Sequence, residues 1–314
     1  MNMTTATLDN SRISKHLGQV SQYKDQYDSS LLVSEPRQNN RTHLDISDDN
    51  LPFVGYDTWN AYEVSALTNN GLPVAGVAKI VYPCNNKYIV ESKSIKLYFN
   101  SFNMYKCGDQ PVDVLDFIDK KASEDLSKLL GAIVHVHTHP ASFRAKGDQV
   151  LDPFQYTTLE DTFSQEELGK MHLDTYSETP ELLSLEESSK KGVMSEEVRW
   201  HSSLLKSNCR VTSQPDWGDV YIMYKAQTHV CPESLLAYII SFRDECHFHE
   251  EICETIYKRL HDALSPEELV VTCLYARRGG IDINPVRASN TALIARECQD
   301  LVDPFVMHVK TAKQ

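Results

Sequence analysis

Four short segments of this chain carry side chains able to make and break bonds or to hold charged ligands. In the first, Cys209 ends Leu205-Lys206-Ser207-Asn208-Cys209, and Asp216 stands seven residues on in the turn Gln214-Pro215-Asp216-Trp217-Gly218. A thiol at a strand end and a carboxylate in a Pro/Gly turn can face one pocket. A free cysteine titrates near ~8.5, so at neutral pH it needs a base before it becomes a nucleophile. Asp216 can be that base and return the proton later as an acid, provided that burial raises its pKa from the usual value of about 3.9. Lys206 is a further group that would favour the thiolate. Against this, a cysteine on a strand is more often a small core residue.

The second segment runs from Val90 to Phe102 and gathers Glu91, Ser92, Lys93, Ser94 and Lys96 at the start of an expected helix. Helix N-terminal amides with Lys and Ser side chains suit a phosphate, although an N-cap followed by a solvated face has the same composition. In the third, Phe248-His249-Glu250 opens another expected helix. A buried Glu250 can accept two hydrogen bonds from the N–H and amino edge of a guanine-type base; the plainer alternative is a first-turn Glu favourable to the helix dipole. The fourth, Arg277-Arg278-Gly279-Gly280, sets guanidinium groups beside flexible backbone, which suits a phosphorylated cofactor and also any surface turn. His135, His137 and His139 would share one face of a strand, and Cys246, His249 and Cys253 fall at helical spacing. Neither set has a convincing ligand complement, so no metal is expected.

These groups need elements to position them, and the chain supplies two similar sets. Ser94, Tyr98, Ser101 and Phe102 recur as Ser234, Tyr238, Ser241 and Phe242, at a constant offset of 140. Each half reads as two strands, a helical layer, then one or two more strands. Val74–Tyr82 follows the turn Asn69-Asn70-Gly71, and Val220, Ile222 and Tyr224 alternate with Tyr221 and Met223. Helices are expected from about Val112 to Leu130 and around Ile252, Ile256, Leu260 and Leu264. The fold class is α+β, with helices on one face of an antiparallel sheet. Residues 1–45 read as a polar, loosely docked extension. The halves are expected at 46–140 and 198–314, joined by an acidic linker or insertion at 141–197.

The chain has 314 residues and a net charge of 31 − 44 = −13. That acidity argues against a direct nucleic-acid surface and against anionic membranes. No signal-like or membrane-spanning apolar run is evident, and the eight cysteines read as free thiols of a cytoplasmic protein. No GxGxxG follows a strand and no GxxxxGK[ST] occurs, so a dinucleotide would have to be held in some other way.

Together the four segments resemble the NADPH-dependent 7-cyano-7-deazaguanine reductases, in the longer form built from two fused tunnelling-fold (T-fold) halves. Glu-Ser-Lys-Ser-x-Lys and Ser-Asn-Cys…Gln-Pro-Asp-Trp-Gly carry most of the likeness, which runs from about Tyr56 to Arg287. The resemblance implies that Cys209 attacks the nitrile carbon to form a thioimide and that Asp216 protonates the nitrogen. It implies that Val90, Glu91, Ser92, His249 and Glu250 line the substrate site, and that Ser92, Lys93, Arg278 and Gly279 contact NADPH. Two cofactor molecules per turnover would give 7-aminomethyl-7-deazaguanine for transfer-RNA queuosine formation. The first half has Asn69 where Cys209 stands in the second, and the second half has Cys231-Pro232-Glu233-Ser234 in place of Glu91-Ser92-Lys93-Ser94. A complete site would therefore form between the halves, with a homodimer or higher assembly closing the tunnel. Other readings of the same residues are a Cys-dependent nitrile hydrolase, a T-fold cyclohydrolase acting on a purine or pterin, and a silent binding protein.

Overall fold

The structure, a computed structural model, describes residues 24, 26–141, 155–186, 195–308 and 310–314. In the first half, β1 (Val54–Leu67) and β2 (Pro73–Pro83) form a hairpin, followed by α1 (Ser92–Asn100), α2 (Pro111–Leu130) and β3 (His135–Pro140). The second half contains β4 (Glu196–Ser202), β5 (Lys206–Cys209), β6 (Pro215–Ala226), α3 (Pro232–Ser241), α4 (His249–Leu264), β7 (Glu268–Tyr275) and β8 (Ile281–Ala288). These strands form one antiparallel sheet in the order β5-β6-β7-β8-β1-β2-β3, with β4 continuing the edge of β6 beyond β5. The last long strand of the chain, β8, lies beside the first, β1, with Ile281 opposite Ala61 and Ala288 opposite Val54. Gly55 is required in this pairing, because a Cβ there would stand 2.1 Å from the Val286 carbonyl oxygen.

Each half buries its own helical face. Val114, Ile118, Ala122, Leu126 and Leu130 of α2 fall every four residues and pack with Trp59, Ala61 and Ile80 in one core. Ile252, Ile256, Leu260 and Leu264 of α4 do the same against Val220, Ile222 and Tyr224 in another. The intervening residues of β6, Tyr221 and Met223, face a third cluster under α5 (Thr291–Glu297) and the following turn Gln299–Val302. The four long helices thus share one face of the sheet, and the short C-terminal ones cover part of the other.

The repeat is carried down to single bonds. Ser101 Oγ donates to the Tyr98 carbonyl at 2.6 Å, and Ser241 Oγ to the Tyr238 carbonyl at 2.7 Å. Val33 N donates to Ser94 Oγ at 3.1 Å, and Ser184 N to Ser234 Oγ at 3.1 Å. Glu91 N donates to the Val33 carbonyl, and Cys231 N to that of Ser184, both at 2.9 Å. Each half is therefore preceded by a strap that its own helix pair holds in the same way. The loosely docked extension is corrected for residues 26–45: Ser34–Pro36 pairs with Tyr88–Val90, and Arg37 and Arg41 are fully buried. Folded chain begins well before Tyr56. In the acidic stretch, Tyr156 and Leu159 are buried in the second half, and Glu178 binds Tyr238 and Arg259; residues 1–23, 142–154 and 187–194 lie outside the described residues.

Arg37 and Arg41 belong to a buried ion cluster at the seam of the halves. Arg287 of β8 binds Asp57 of β1 at 2.8 Å and Glu254 of α4 at 2.9 Å. Arg37 pairs with Asp57, and Arg41 binds Glu254 at 2.8 Å and Asp48 at 2.7 Å. Three guanidinium groups thus face three carboxylates. With both signs matched, removing one member leaves an uncompensated buried charge. Asp57→Asn is expected to cost roughly 3–5 kcal/mol of unfolding free energy, as for other broken buried pairs, measured by urea denaturation with unchanged m-value. A loss below about 1 kcal/mol would remove the cluster as the fastening of the seam.

Candidate active site

Three pieces of local structure bring the chemistry to one place. The loop between β5 and β6 is closed by Cys209 N donating to the Gln214 carbonyl and Ser213 N to that of Cys209, both at 2.8 Å, with Ser213 at φ 53°. It carries Cys209 at one end and Asp216 at the other. The β7–β8 turn carries Arg278, Gly279 and Gly280, the last two at φ 57° and 78°. The N-termini of α1 and α4 supply Glu91–Lys96 and Phe248–Glu250. A cavity of ≈ 350 Å³ joins them, within the ordinary range of ligand pockets. Its walls include Glu91, Ser92, Lys93 and Lys96 from the first half and Cys209, Asp216, His249, Glu250, Arg278 and Gly279 from the second. Of the ten residues expected from sequence only Val90 does not line it; Val90 is packed into the first half's core at the end of Tyr88–Val90.

Asp216 is 4% exposed and doubly held. Arg278 Nη1 donates to its Oδ1, and His249 Nε2 lies 3.3 Å from its Oδ2. The imidazole of His249 stacks on Tyr275 with ring centroids 3.8 Å apart. Burial pushes the Asp216 carboxyl up, but the His249 imidazole against it and the hydrogen-bonded Arg278 guanidinium outweigh that and hold the group below the ordinary carboxylate range. The expectation that burial would raise Asp216 is thus overturned for the ligand-free protein: it is an anion, able to accept a proton but not to donate one. Arg278 also interacts with the Cys209 thiol. Lys206 does not serve Cys209; its Nζ donates to Asn208 Oδ1 at 2.9 Å and to the Arg243 carbonyl.

Glu250 has the opposite environment. It is 1% exposed, and its Oε1 has no hydrogen-bond partner in the protein. Burial, with the Asp57 charge behind it, pushes its carboxyl up to about 8. A buried, unsatisfied acceptor in a cavity wall is an opening for ligand donors. Glu91 is used differently: its carboxylate accepts from Lys93 N at 3.0 Å and Ser94 N at 2.6 Å, capping α1. These amides are therefore not open to a phosphate. The remaining donors at the mouth are the Ser92 hydroxyl, the Lys93 ammonium, Lys96, whose Nζ also meets Glu63 Oε2 at 3.0 Å, and Arg278, whose Nη2 rests on Thr212 and Gln214.

Among the described residues no group of three His, Cys, Asp or Glu side chains is placed to hold a metal. His135 is exposed, His137 faces Asp119 at 3.2 Å, and His139 meets the Pro304 carbonyl. All eight cysteines are free thiols, and no described helix is long and apolar enough to cross a membrane.

Residues 23–138 match the family described as nitrile reductase, 7-cyano-7-deazaguanine-reductase N-term, and residues 215–310 match the one described as QueF-like protein. An NADPH-dependent 7-cyano-7-deazaguanine reductase of Colwellia psychrerythraea is 38% identical over 87% of this chain and 91% of its own. The proteins of that name from Legionella pneumophila (strain Lens) and Dechloromonas aromatica are 39% and 38% identical, over 87% and 92% of this chain and 89% and 95% of theirs. The chain belongs to the NADPH-dependent 7-cyano-7-deazaguanine reductase family. It is an oxidoreductase with the family's two-domain α+β T-fold architecture.

Within this reductase the cavity includes residues that sequence reasoning passed over. Thr212 and Gln214 each accept from Arg278 Nη2 at 3.1 Å. Trp59 and Ile283 line the cavity from β1 and β8, and Phe248 lies beneath Arg210. His247 is held between Glu245 and Glu251; burial pushes its imidazole down, but those two carboxylates outweigh it and raise it to about 9. Gln214 and Phe248 stand in segments singled out for their neighbours; the others sit in no motif, and only packing reveals them.

Glu250 makes a testable demand on stability. Its folded pKa lies above the unfolded carboxylate value, so its contribution is full below about 4.3 and is lost as pH rises through about 8. Glu250→Gln removes that loss. The variant is expected to gain unfolding free energy over the parent as pH rises from 5 to 8.5, by on the order of a few kcal/mol, measured by urea denaturation; parallel pH curves for the two proteins would contradict the unpaired acid.

Proposed function

We propose that this cavity reduces the nitrile of 7-cyano-7-deazaguanine to the aminomethyl group, with two NADPH per turnover and a covalent thioimide on Cys209. The observation that supports this reading best is the meeting of Cys209, Asp216, Glu250 and the basic mouth in one cavity with walls from both halves. The product is the 7-aminomethyl base used in transfer-RNA queuosine formation.

Glu250 reads the base. Its carboxyl, once ionised, accepts from the ring N–H and amino group of the deazaguanine edge, while Glu91 and Ser92 flank the ring and His249 is fixed on Tyr275. Asp216, anionic beside the Cys209 thiol, accepts the thiol proton. The sulfur bonds to the nitrile carbon, and Asp216 passes the proton to the nitrile nitrogen. Arg278 is placed to offset the thiolate charge. The ammonium groups of Lys93 and Lys96, Ser92, Arg278 and the open space over Gly279 fit an anionic dinucleotide; a Cβ at Gly279 would meet nothing nearer than the Lys96 chain at 3.6 Å. NADPH supplies hydride there. A hydrolase reading uses the same thiol but gives no task to this basic mouth. Among the described residues no group of three His, Cys, Asp or Glu side chains is placed to hold the metal that a cyclohydrolase of this fold is expected to require.

The strand β3 ends the sheet on one side; on the other, β4 carries only the two-residue strand Thr157–Thr158 along its outer edge and β5 only Cys246–His247. Pairing of these ends with a second copy would close a tunnel, so we take the active form to be a homodimer or higher assembly; the free thiols suit a cytoplasmic setting.

Incubation with the cyano substrate and no cofactor is expected to raise the intact mass by that of the whole substrate, mapped to Cys209. Cys209→Ala should lose both the adduct and at least a thousandfold of NADPH oxidation. Substrate-dependent turnover without NADPH consumption would place the protein among the hydrolases. Sedimentation velocity should give at least twice the chain mass; a monomer with full activity would sink the closed tunnel.

A further inference from the structure

The reaction makes two contrary demands on Asp216. To take the Cys209 proton it has to be an anion. To deliver a proton with hydride it has to be neutral, and it has to be refilled. The balance is fixed: addition of the thiol to the nitrile moves one proton from sulfur to nitrogen and needs none from solvent. Reduction of the thioimide then adds one hydride to carbon and one proton to nitrogen. Departure of the Cys209 sulfur, protonated again as thiol, leaves an imine that takes a second hydride and a second proton. Two protons enter from outside, one with each hydride.

The ligand-free site provides only for the anion. Arg278 binds Asp216 through Nη1, and its Nη2 rests on two neutral acceptors, Thr212 Oγ1 and Gln214 Oε1, each at 3.1 Å. Its side chain is 36% exposed, whereas that of Asp216 is 4% exposed. The guanidinium is thus the one partner of Asp216 that both carries a fixed charge and reaches the cavity mouth, beside Lys93 and Lys96 of α1. The other groups facing Asp216 are His249 from α4, held by its stack on Tyr275, the Tyr275 phenol from β7 and Cys209 from β5. Glu250 adds a further carboxyl nearby. The turn through Gly279 and Gly280 is closed by Arg278 N donating to the Ile281 carbonyl at 2.8 Å and Ile281 N to that of Arg278 at 3.0 Å, so the backbone of Arg278 is held and its side chain alone has to turn.

Resting on the proposed reading of the site, we infer that Arg278 couples cofactor binding to the charge of Asp216: the guanidinium turns from the carboxylate to the dinucleotide phosphates, and Asp216, left buried without that counter-charge, takes a proton from solvent. Each arriving cofactor molecule then meets a loaded acid, and each departure restores the anion. Arg278 is a positioning residue for the proton as well as a phosphate ligand. Burial of an unpaired carboxylate and removal of a fixed positive charge act in the same direction. By linkage, the proton taken up on binding makes cofactor affinity fall as pH rises.

Calorimetric titration of the substrate-free enzyme with NADPH at pH 7, in buffers of low and high ionisation enthalpy, counts the protons exchanged. The wild-type protein is expected to take up a substantial fraction of one proton per cofactor more than Asp216→Asn does, and Arg278→Gln should lose most of that difference at saturation. In infrared difference spectra of the wild type, NADPH should bring up a protonated carboxylic C=O band that Asp216→Asn lacks. Equal proton counts for wild type and Asp216→Asn, or NADPH binding and oxidation with the cyano substrate but no acid band, would overturn the coupling. If the variants do not fold, the wild-type infrared band decides alone. Failure to bind NADPH, or to oxidise it with the cyano substrate, would instead strike at the reading of the site itself.

Discussion

The pairing of β8 with β1 is the constraint on which the remaining structure depends. It joins strands from opposite ends of the chain, with Ile281 opposite Ala61 and Arg287 opposite Gly55. Such a contact closes a loop of more than two hundred residues, whose entropy cost grows only slowly with length but is recovered only when both halves are formed. The buried cluster of Arg37, Arg41 and Arg287 with Asp57, Glu254 and Asp48 fixes the register. A slip by one residue would turn Arg287 to the other face and strand its charge. From that register the cavity follows: the turn ahead of β8 places Arg278 beside Asp216 and near the α1 lysines, and Trp59 and Ile283, opposite each other on the ladder, line the same cavity.

The cavity holds two buried carboxyl groups whose surroundings push them apart. Asp216 has an arginine and a histidine on its two oxygens and stays ionised; Glu250 has an oxygen without a partner and holds its proton into the alkaline range. Both line the same cavity, and residue type alone does not tell them apart. Solvation and counter-charge leave one an anion and the other a neutral acid, the general way in which one fold holds acid and base groups at a single pH. The seam cluster takes part in this as well, since the Asp57 charge is one reason that Glu250 is raised.

Much of the site was legible in the sequence because its groups lie in short segments with fixed local geometry. Cys209 and Asp216 bracket one hairpin loop, Glu91 precedes one helix and His249-Glu250 opens another, so neighbours in sequence remain neighbours in space. The repeat was legible through Tyr98 and Tyr238, whose matched serines make the same backbone bonds. What escaped notice were groups whose roles depend on remote partners. Arg37 and Arg41 stand in a polar run that reads as solvated chain, yet carboxylates contributed by β1 and α4 draw both into the interior. The strap around Ser184 reads as acidic linker, because its likeness to Val33 lies in backbone bonds and not in side chains.

The sequence by itself determined the family, the α+β class, the thiol and its companion acid, and the division of motifs between two halves, since these depend on residue type and local periodicity. Only the tertiary structure decided the charge of each acid. It turned Asp216 from an expected proton holder into an anion, gave the α1 amides to Glu91, and set the Arg278 guanidinium against Asp216. Those outcomes depend on desolvation and on distances of about 3 Å between groups far apart in the chain, quantities that no spacing along a sequence encodes.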